Sequence, residues 1–151
     1  MSKENDTDEL PNWISDHIKM YREDPDKGHN WDSTDIGGPG VLPVLLLTTL
    51  GRKSGKTRVL PLIYGRLGDA YVIIASKGGS PTHPAWYLNL RSNPDCAIQV
   101  AHDHLEVRAR IAKPDERQDL WEQLAAIYPP YNDYQAATSR KIPVVVLEPA
   151  G

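Results

Sequence analysis

The sequence predicts one α+β, mainly β domain: six largely antiparallel strands closing into a small barrel, with helices inserted between them and an amphipathic helix in front. Three observations point there. Aliphatic and β-branched runs recur between short Gly- and Pro-bearing turns from Val41 onward. The strand–helix alternation of a parallel sheet is missing, which argues against a Rossmann arrangement. The chain has 151 residues, the size of a single domain, and six strands in so short a chain leave exposed edges unless the sheet closes on itself.

Residues 1–9 are polar and acidic and read as a disordered tail. Trp13, Ile14, His17, Ile18 and Tyr21 recur at helical spacing and define an amphipathic helix, which Pro25 and Gly28 are expected to end. Residues 26–40 read as a flexible Gly- and Asp-rich loop around Trp31, long enough to serve as a lid. Residues 1–40 thus precede a barrel formed by residues 41–151. Its expected strands cover residues 43–50, 57–65 and 70–77, joined by turns at 51–56 and 66–69. Pro84 suits the first position of a short helix to about residue 93, where Pro94 stops it. Residues 95–101 and 104–112 form a hairpin. Pro114, Asp115 and Glu116 open a helix with acids in its first turn, which the helix dipole favours. Residues 142–148 complete the strands.

Forty per cent of the residues are apolar and Phe is absent, so Leu, Ile, Val, Trp and Tyr must build the core. A net charge of −3 argues against general nucleic-acid binding. Cys96 is the single cysteine, so no internal disulfide forms, as expected in a reducing compartment. One cysteine among five scattered histidines supplies no structural zinc set. The start of the chain lacks the basic, apolar character of a signal peptide. The longest apolar run, residues 41–47, is far short of the ~20 residues that cross a bilayer. A cytoplasmic protein is expected, peripheral at the inner face of a membrane at most.

Charge is unevenly spread. Residues 1–26 carry eight acids and three basic residues, a net of −5; residues 51–91 carry seven basic residues against Asp69, a net of +6. A basic stretch in an acidic protein points to a local anionic ligand. Within it, Gly51-Arg52-Lys53-Ser54-Gly55-Lys56-Thr57 looks like a nucleotide phosphate loop but has three residues between its glycines, not four, and leads into a strand. Such a turn can still hold a phosphate through side chains and backbone N–H groups. Ala75-Ser76-Lys77-Gly78-Gly79 offers a second close backbone approach. Ala85-Trp86-Tyr87-Leu88-Asn89 places aromatics on the short helix. Tyr128, Tyr131 and Tyr134, three apart beside Pro129-Pro130, can share one face and donate hydrogen bonds or stack on a flat ligand. His102-Asp103-His104 lies at a hairpin turn where neighbours point apart, and no metal is assigned to it.

Residues 46–55, Arg58 with Pro61-Leu62, Ala75-Ser76-Lys77-Gly78-Gly79, residues 83–90 with Asn93-Pro94, residues 128–135 and residues 140–149 together resemble the deazaflavin-dependent nitroreductase family, in order and spacing, over about residues 40–149. The resemblance implies a split β-barrel like that of the flavin-binding pyridoxamine-phosphate oxidases. It also implies coenzyme F-420, an 8-hydroxy-5-deazaflavin with a phosphate and an oligoglutamate tail. Carried over by residue, Arg52, Lys53 and Ser54 hold the phosphate and tail, with Arg58 and Lys77 beside them. Val59, Leu60, Pro61, Leu62 and Ile63, with Ile74, Ala75 and Ser76, line the deazaflavin. Ala85, Trp86, Tyr87, Leu88 and Asn89 close the other side. Tyr131 sits at the substrate face, and Tyr131, Tyr134 and Ser76 are the catalytic candidates. The implied reaction is hydride transfer to a small electrophile such as a quinone, an activated enone or a nitro compound. The N-terminal helix is expected to cover the substrate pocket. One departure stands out: a family member that activates nitroimidazoles has Tyr where this chain has Ile63, and here the aromatic falls at Tyr64, which a strand turns to its other face. Two alternatives remain at this level: a split-barrel oxidoreductase using FMN, and a non-catalytic carrier of deazaflavin or lipid.

Overall fold

The computed structural model describes residues 12–34 and 38–150; the acidic tail expected over residues 1–9 lies outside them. The described elements run α1 (Asn12–Glu23), α2 (Pro25–His29), β1 (Asn30–Asp32), β2 (Val41–Leu50), β3 (Thr57–Ile63), β4 (Gly65–Leu67), β5 (Ala70–Ile74), α3 (Ala85–Ser92), β6 (Asp95–Val100), β7 (Asp103–Ile111), α4 (Pro114–Ile127), α5 (Pro130–Ala136) and β8 (Val144–Pro149). The strands form one curled antiparallel sheet in the order β1-β2-β6-β7-β8-β5-β4, with β3 also paired to β2.

Eight strands rather than six are described. One addition comes from the segment expected to be a flexible loop. Pro25 does not end the helical region: it opens α2, where the Asp24 side chain accepts a hydrogen bond from the Lys27 N–H at 3.3 Å. β1 then pairs Trp31 with Leu42. The other addition comes from a bend. The run expected as one strand over residues 57–65 breaks at Tyr64 into β3, which pairs with β2, and β4, which pairs with β5. Those partners lie far apart in the sheet path, so this bend carries the chain across the curled sheet from one to the other. The expected strand over residues 70–77 stops at Ile74, because Lys77, Gly78 and Gly79 turn through positive φ of 46°, 62° and 82°.

The burial pattern explains why the strand sequences are nearly continuous in apolar residues. On β2, Leu45 and Leu47 face the barrel interior with Tyr64, Tyr71, Ile73, Val107 and Leu147, closed off by Trp86, Tyr87 and Leu90 of α3. The alternate residues Leu42, Val44 and Leu46 face Ile18 and Tyr21 of α1. Likewise Val72, Ile74, Val144 and Val146 face outward under Leu120, Trp121 and Leu124 of α4. Strands covered on both faces lose the polar alternation of a half-exposed sheet.

Helix α1 is fastened at its C-terminal end. Tyr21 is fully buried; its hydroxyl donates toward the carbonyls of Val44 (2.8 Å) and Gln99 (3.1 Å) and accepts from the Ala101 N–H (2.8 Å). Gly28 lies against Tyr21 so closely that a Cβ there would fall 2.4 Å from the Tyr21 Cα. Trp13, at the other end of the helix, is 45% exposed.

Candidate functional site

A cavity of about 710 Å³ opens beside the barrel. One wall is β3, through Leu60, Pro61, Leu62 and Ile63, with Val44 of β2 and Ile74 of β5. A second is the left-handed turn, through Ser76, Lys77 and Gly78. Pro84 and Trp86 bound it at the start of α3, and Tyr128, Tyr131 and Tyr134 bound it around α5. The roof is Trp13, Ile14 and His17 of α1 together with Trp31 of β1. Ten of the residues anticipated from the sequence therefore line one cavity: Leu60, Pro61, Leu62, Ile63, Ile74, Ser76, Lys77, Trp86, Tyr131 and Tyr134.

The rest stand elsewhere. Val59 packs toward Ile18 and Tyr21 under α1. Ala75 is fully buried in the barrel interior, which Leu88 also touches, and Tyr87 is packed there edge-on to Trp86. Ala85 is exposed. Asn89 is 3% exposed and tied to the basic turn: its Oδ1 accepts from the Arg52 N–H (3.1 Å) and guanidinium (3.0 Å), and its Nδ2 donates to Thr49 Oγ1 (3.3 Å).

That turn is compact. Gly51 N–H donates to Lys56 O and Gly55 N–H to Gly51 O, both at 2.8 Å. A Cβ on Gly51 would lie 2.8 Å from Ser54 Oγ and 3.0 Å from Arg58 Nε. The Arg58 side chain, 5% exposed, donates to Ser54 Oγ at 3.1 Å, while Lys53 and Lys56 extend outward. The turn runs directly into β3, so cavity wall and cationic turn are parts of one hairpin.

The tyrosines form a triangle. Tyr128 and Tyr131 are edge to face at 5.0 Å, and Tyr134 stands 6.2 Å from each. The Tyr128 and Tyr134 hydroxyls are hydrogen bonded at 3.1 Å. Tyr131 is 5% exposed, and burial pushes its phenol well above the ordinary value, helped by the neighbouring phenols. Tyr128 is pushed up to about 12, first by burial and then by Tyr134.

On the roof, the His17 ring stacks on Trp31 at 4.9 Å and Trp31 on Trp13 at 5.8 Å. His17 Nε2–H donates to the Gly28 carbonyl at 2.9 Å, which leaves Nδ1 as a buried acceptor with no partner among the described residues. Burial lowers the His17 pKa. Tyr64, at the bend between β3 and β4, does not line the cavity: it packs with Tyr71 in the barrel core, and its hydroxyl meets His29 Nε2 at 2.7 Å.

The sequence pattern points to the N-terminal helix as a cover for the pocket but not to His17 and Trp31 as wall residues. A histidine on an apolar helix face and a lone tryptophan in a polar loop were the available signals. Arg140, too, has no role that the sequence announces. The Arg140 guanidinium donates to the carbonyls of Ala75 (3.1 Å), Ser76 (2.7 Å) and Ser80 (2.8 Å), and lies 3.2 Å from His83 Nδ1. Burial and the charges of Arg140 and Arg91 lower the His83 pKa, in keeping with a neutral ring that accepts from the guanidinium.

Comparison with known proteins adds a family. The model of the F420H(2)-dependent quinone reductases matches residues 15–149. An F420H(2)-dependent quinone reductase of Mycobacterium tuberculosis is 46% identical over 112 residues, 72% of this chain and 75% of that protein. A solved F420-H2 dependent reductase superposes with a TM-score of 0.65 at 42% identity, covering 70% of this chain and 94% of that one. A candidate pyridoxamine 5'-phosphate oxidase of Listeria innocua, at 14% identity and a TM-score of 0.53, covering 72% of this chain and 84% of that one, shares the fold.

Proposed function

The chain belongs to the F420H(2)-dependent quinone reductase family, and from that premise we propose how its own residues serve hydride transfer from reduced coenzyme F-420 to a quinone. The observation that carries the reading is the continuity of an aromatic-lined cavity with a cationic turn through the single strand β3. A ligand with a flat ring system and an anionic tail needs both. The residues present suit it: the turn is too tightly closed over Gly51 to admit a side chain, and Lys53 and Lys56 project outward from it.

In this reading Arg52, Lys53, Ser54 and Arg58 hold the phosphate and tail by charge-assisted hydrogen bonds, and Lys77 approaches from the opposite wall. Leu60, Pro61, Leu62 and Ile74 press on one face of the ring system, and Trp86 closes the cavity beside it. When bound, the reduced coenzyme supplies the hydride; the protein supplies orientation and a dry, shaped site. The quinone lies under the roof of Trp13, His17 and Trp31, facing Tyr131. Hydride addition puts negative charge on a quinone oxygen. The Tyr131 hydroxyl, kept protonated by burial, donates a hydrogen bond to that oxygen, while Tyr134 and Ser76 hold the substrate edge. Helix α1 covers the pocket instead of lying on lipid, since its apolar residues Ile18 and Tyr21 are spent on β2.

Titrating the purified protein with oxidised coenzyme F-420 and with FMN, followed by fluorescence, tests the site. Turnover of 1,4-naphthoquinone, a cyclic enone and a nitroimidazole tests the chemistry. Preference for the deazaflavin with quinone turnover is expected. Tighter binding of FMN, or deazaflavin binding without turnover of any of the three, would overturn it.

A further inference from the structure

The Ser76–Lys77–Gly78 wall of the cavity and the residue that leads into Pro84 and α3 are held by one side chain some sixty residues further along the chain. Arg140 precedes β8. Its guanidinium donates to Ala75 O, Ser76 O and Ser80 O and contacts His83 Nδ1. These acceptors bracket the turn in which Lys77 takes a φ of 46°, a region disfavoured for any residue with a Cβ. Arg140 is in turn held from the tyrosine helix: Gln135 of α5 donates through Nε2 to Arg140 O (2.8 Å) and accepts the Ile142 N–H on Oε1 (3.0 Å). Gly79 seats against the same helix, where a Cβ would fall 2.8 Å from Tyr134 O. His83 lies just before Pro84 and α3.

We propose that Arg140 is a positioning residue for the deazaflavin site, fixing the Ser76–Lys77–Gly78 wall in its left-handed turn and registering it against the tyrosine helix. Its four acceptors are spread around the guanidinium, so the site uses the planar fork of donors and not the charge alone. Lysine keeps the charge and cannot span three carbonyls. The proposal rests on the reading of the cavity as the deazaflavin site.

Two measurements test it. The first needs no cofactor: limited trypsin digestion of the ligand-free protein, timing cleavage after Lys77 against cleavage at other sites. Arg140→Gln and Arg140→Lys should both speed that cleavage selectively, and an unchanged relative rate in both overturns the proposal. The second is the dissociation constant of oxidised coenzyme F-420. Arg140→Gln and Arg140→Lys should each raise it about tenfold, the scale of one charged hydrogen bond. In a Lys77→Gly background, where the left-handed turn is easy, Arg140→Gln should raise it less than about threefold, a coupling that a purely structural arginine would not show. Wild-type affinity in Arg140→Lys, or equal effects in the two backgrounds, overturns the inference. Should Arg140→Gln not fold, Arg140→Lys and Gln135→Ala carry the same comparison. Absence of deazaflavin binding by the wild type would instead reject the site reading, leaving the trypsin result to stand alone.

Discussion

The Tyr64 hydroxyl meets His29 Nε2 at 2.7 Å while Ile63, its neighbour in the chain, faces the cavity. One residue of register thus decides whether this phenol works as a tether or as a pocket donor. Ile63→Tyr is expected to place a hydroxyl in the pocket and to raise turnover of nitro compounds relative to quinones. Tyr64→Phe is expected to cost about 0.5–1.5 kcal/mol of stability and to leave coenzyme affinity unchanged. Urea denaturation and a fluorescence titration check the two halves separately.

Tyr131→Phe should lower kcat and kcat/KM together, by roughly 5- to 150-fold for about 1–3 kcal/mol of lost transition-state hydrogen bonding. Coenzyme affinity should hold. Because burial raises the Tyr131 phenol above its ordinary value, tyrosinate absorbance should show no Tyr131 ionisation below about pH 10, the free phenol's pKa. Wild-type kcat in the Phe variant with a quinone and an enone would remove the hydroxyl from the reaction.

Lys53→Ala and Lys77→Ala should each weaken coenzyme binding by about 1.5–3 kcal/mol, the scale of a charged hydrogen bond. Wild-type affinity should fall as salt rises, since exposed charges are screened. A salt-independent dissociation constant, equal in both variants and the wild type, leaves the cationic turn without a ligand.

Helix α1 has two ends with different work. Tyr21→Phe leaves the Ala101 N–H and a carbonyl unpaired in the core and should cost about 1–3 kcal/mol. Trp13→Ala, at the exposed end, should raise the quinone KM with little change in stability or coenzyme affinity. Deleting the helix would confound the two, because it strips Tyr21 from β2. An unchanged KM in Trp13→Ala argues that the roof does not touch substrate.

His17 gives a pH signature. Its folded pKa is lowered by burial, so the folded state holds fewer protons than the unfolded state below the free value of about 6.5. The neutral ring's contribution is therefore intact above that value and is lost as pH falls toward the folded pKa. His17→Phe should flatten stability across this acidic range relative to wild type. Parallel curves of urea midpoint against pH for the two proteins would show that His17 carries none of the acid sensitivity.

Much of this was legible in the sequence because the signals were local. Helical spacing gave α1 and α4, turn residues gave the β2–β3 and β6–β7 hairpins, and the family resemblance, carried over residue by residue, collected ten residues that line one cavity. What stayed hidden depends on contacts distant in sequence. The bend at Tyr64 is marked only by Gly65, which reads equally well as the end of a strand, and it follows from β2 and β5 lying far apart in the sheet path. β1 hides among Gly and Asp residues because it is only three residues long and borrows its order from β2. Ala75 was expected at the ligand and is buried because the strand face changes between Ile74 and Ala75. Arg140 acts mainly through backbone carbonyls, which no side-chain pattern announces.

Strand β8 lies between β5 and β7, pairing Tyr71 with Leu147 on one side and Ala109 with Leu147 on the other. The two strands it joins are made long before it, each with a row of unsatisfied backbone groups on the side it will fill. During synthesis the sheet must wait, open, until residues 144–149 leave the ribosome. The step that completes it pairs strands about half the chain apart, so assembly is expected to be slow for a protein of this size, and the nascent chain carries two sticky edges meanwhile. Loss of this one short strand would leave a translation product with its hairpins formed and no barrel to put them in.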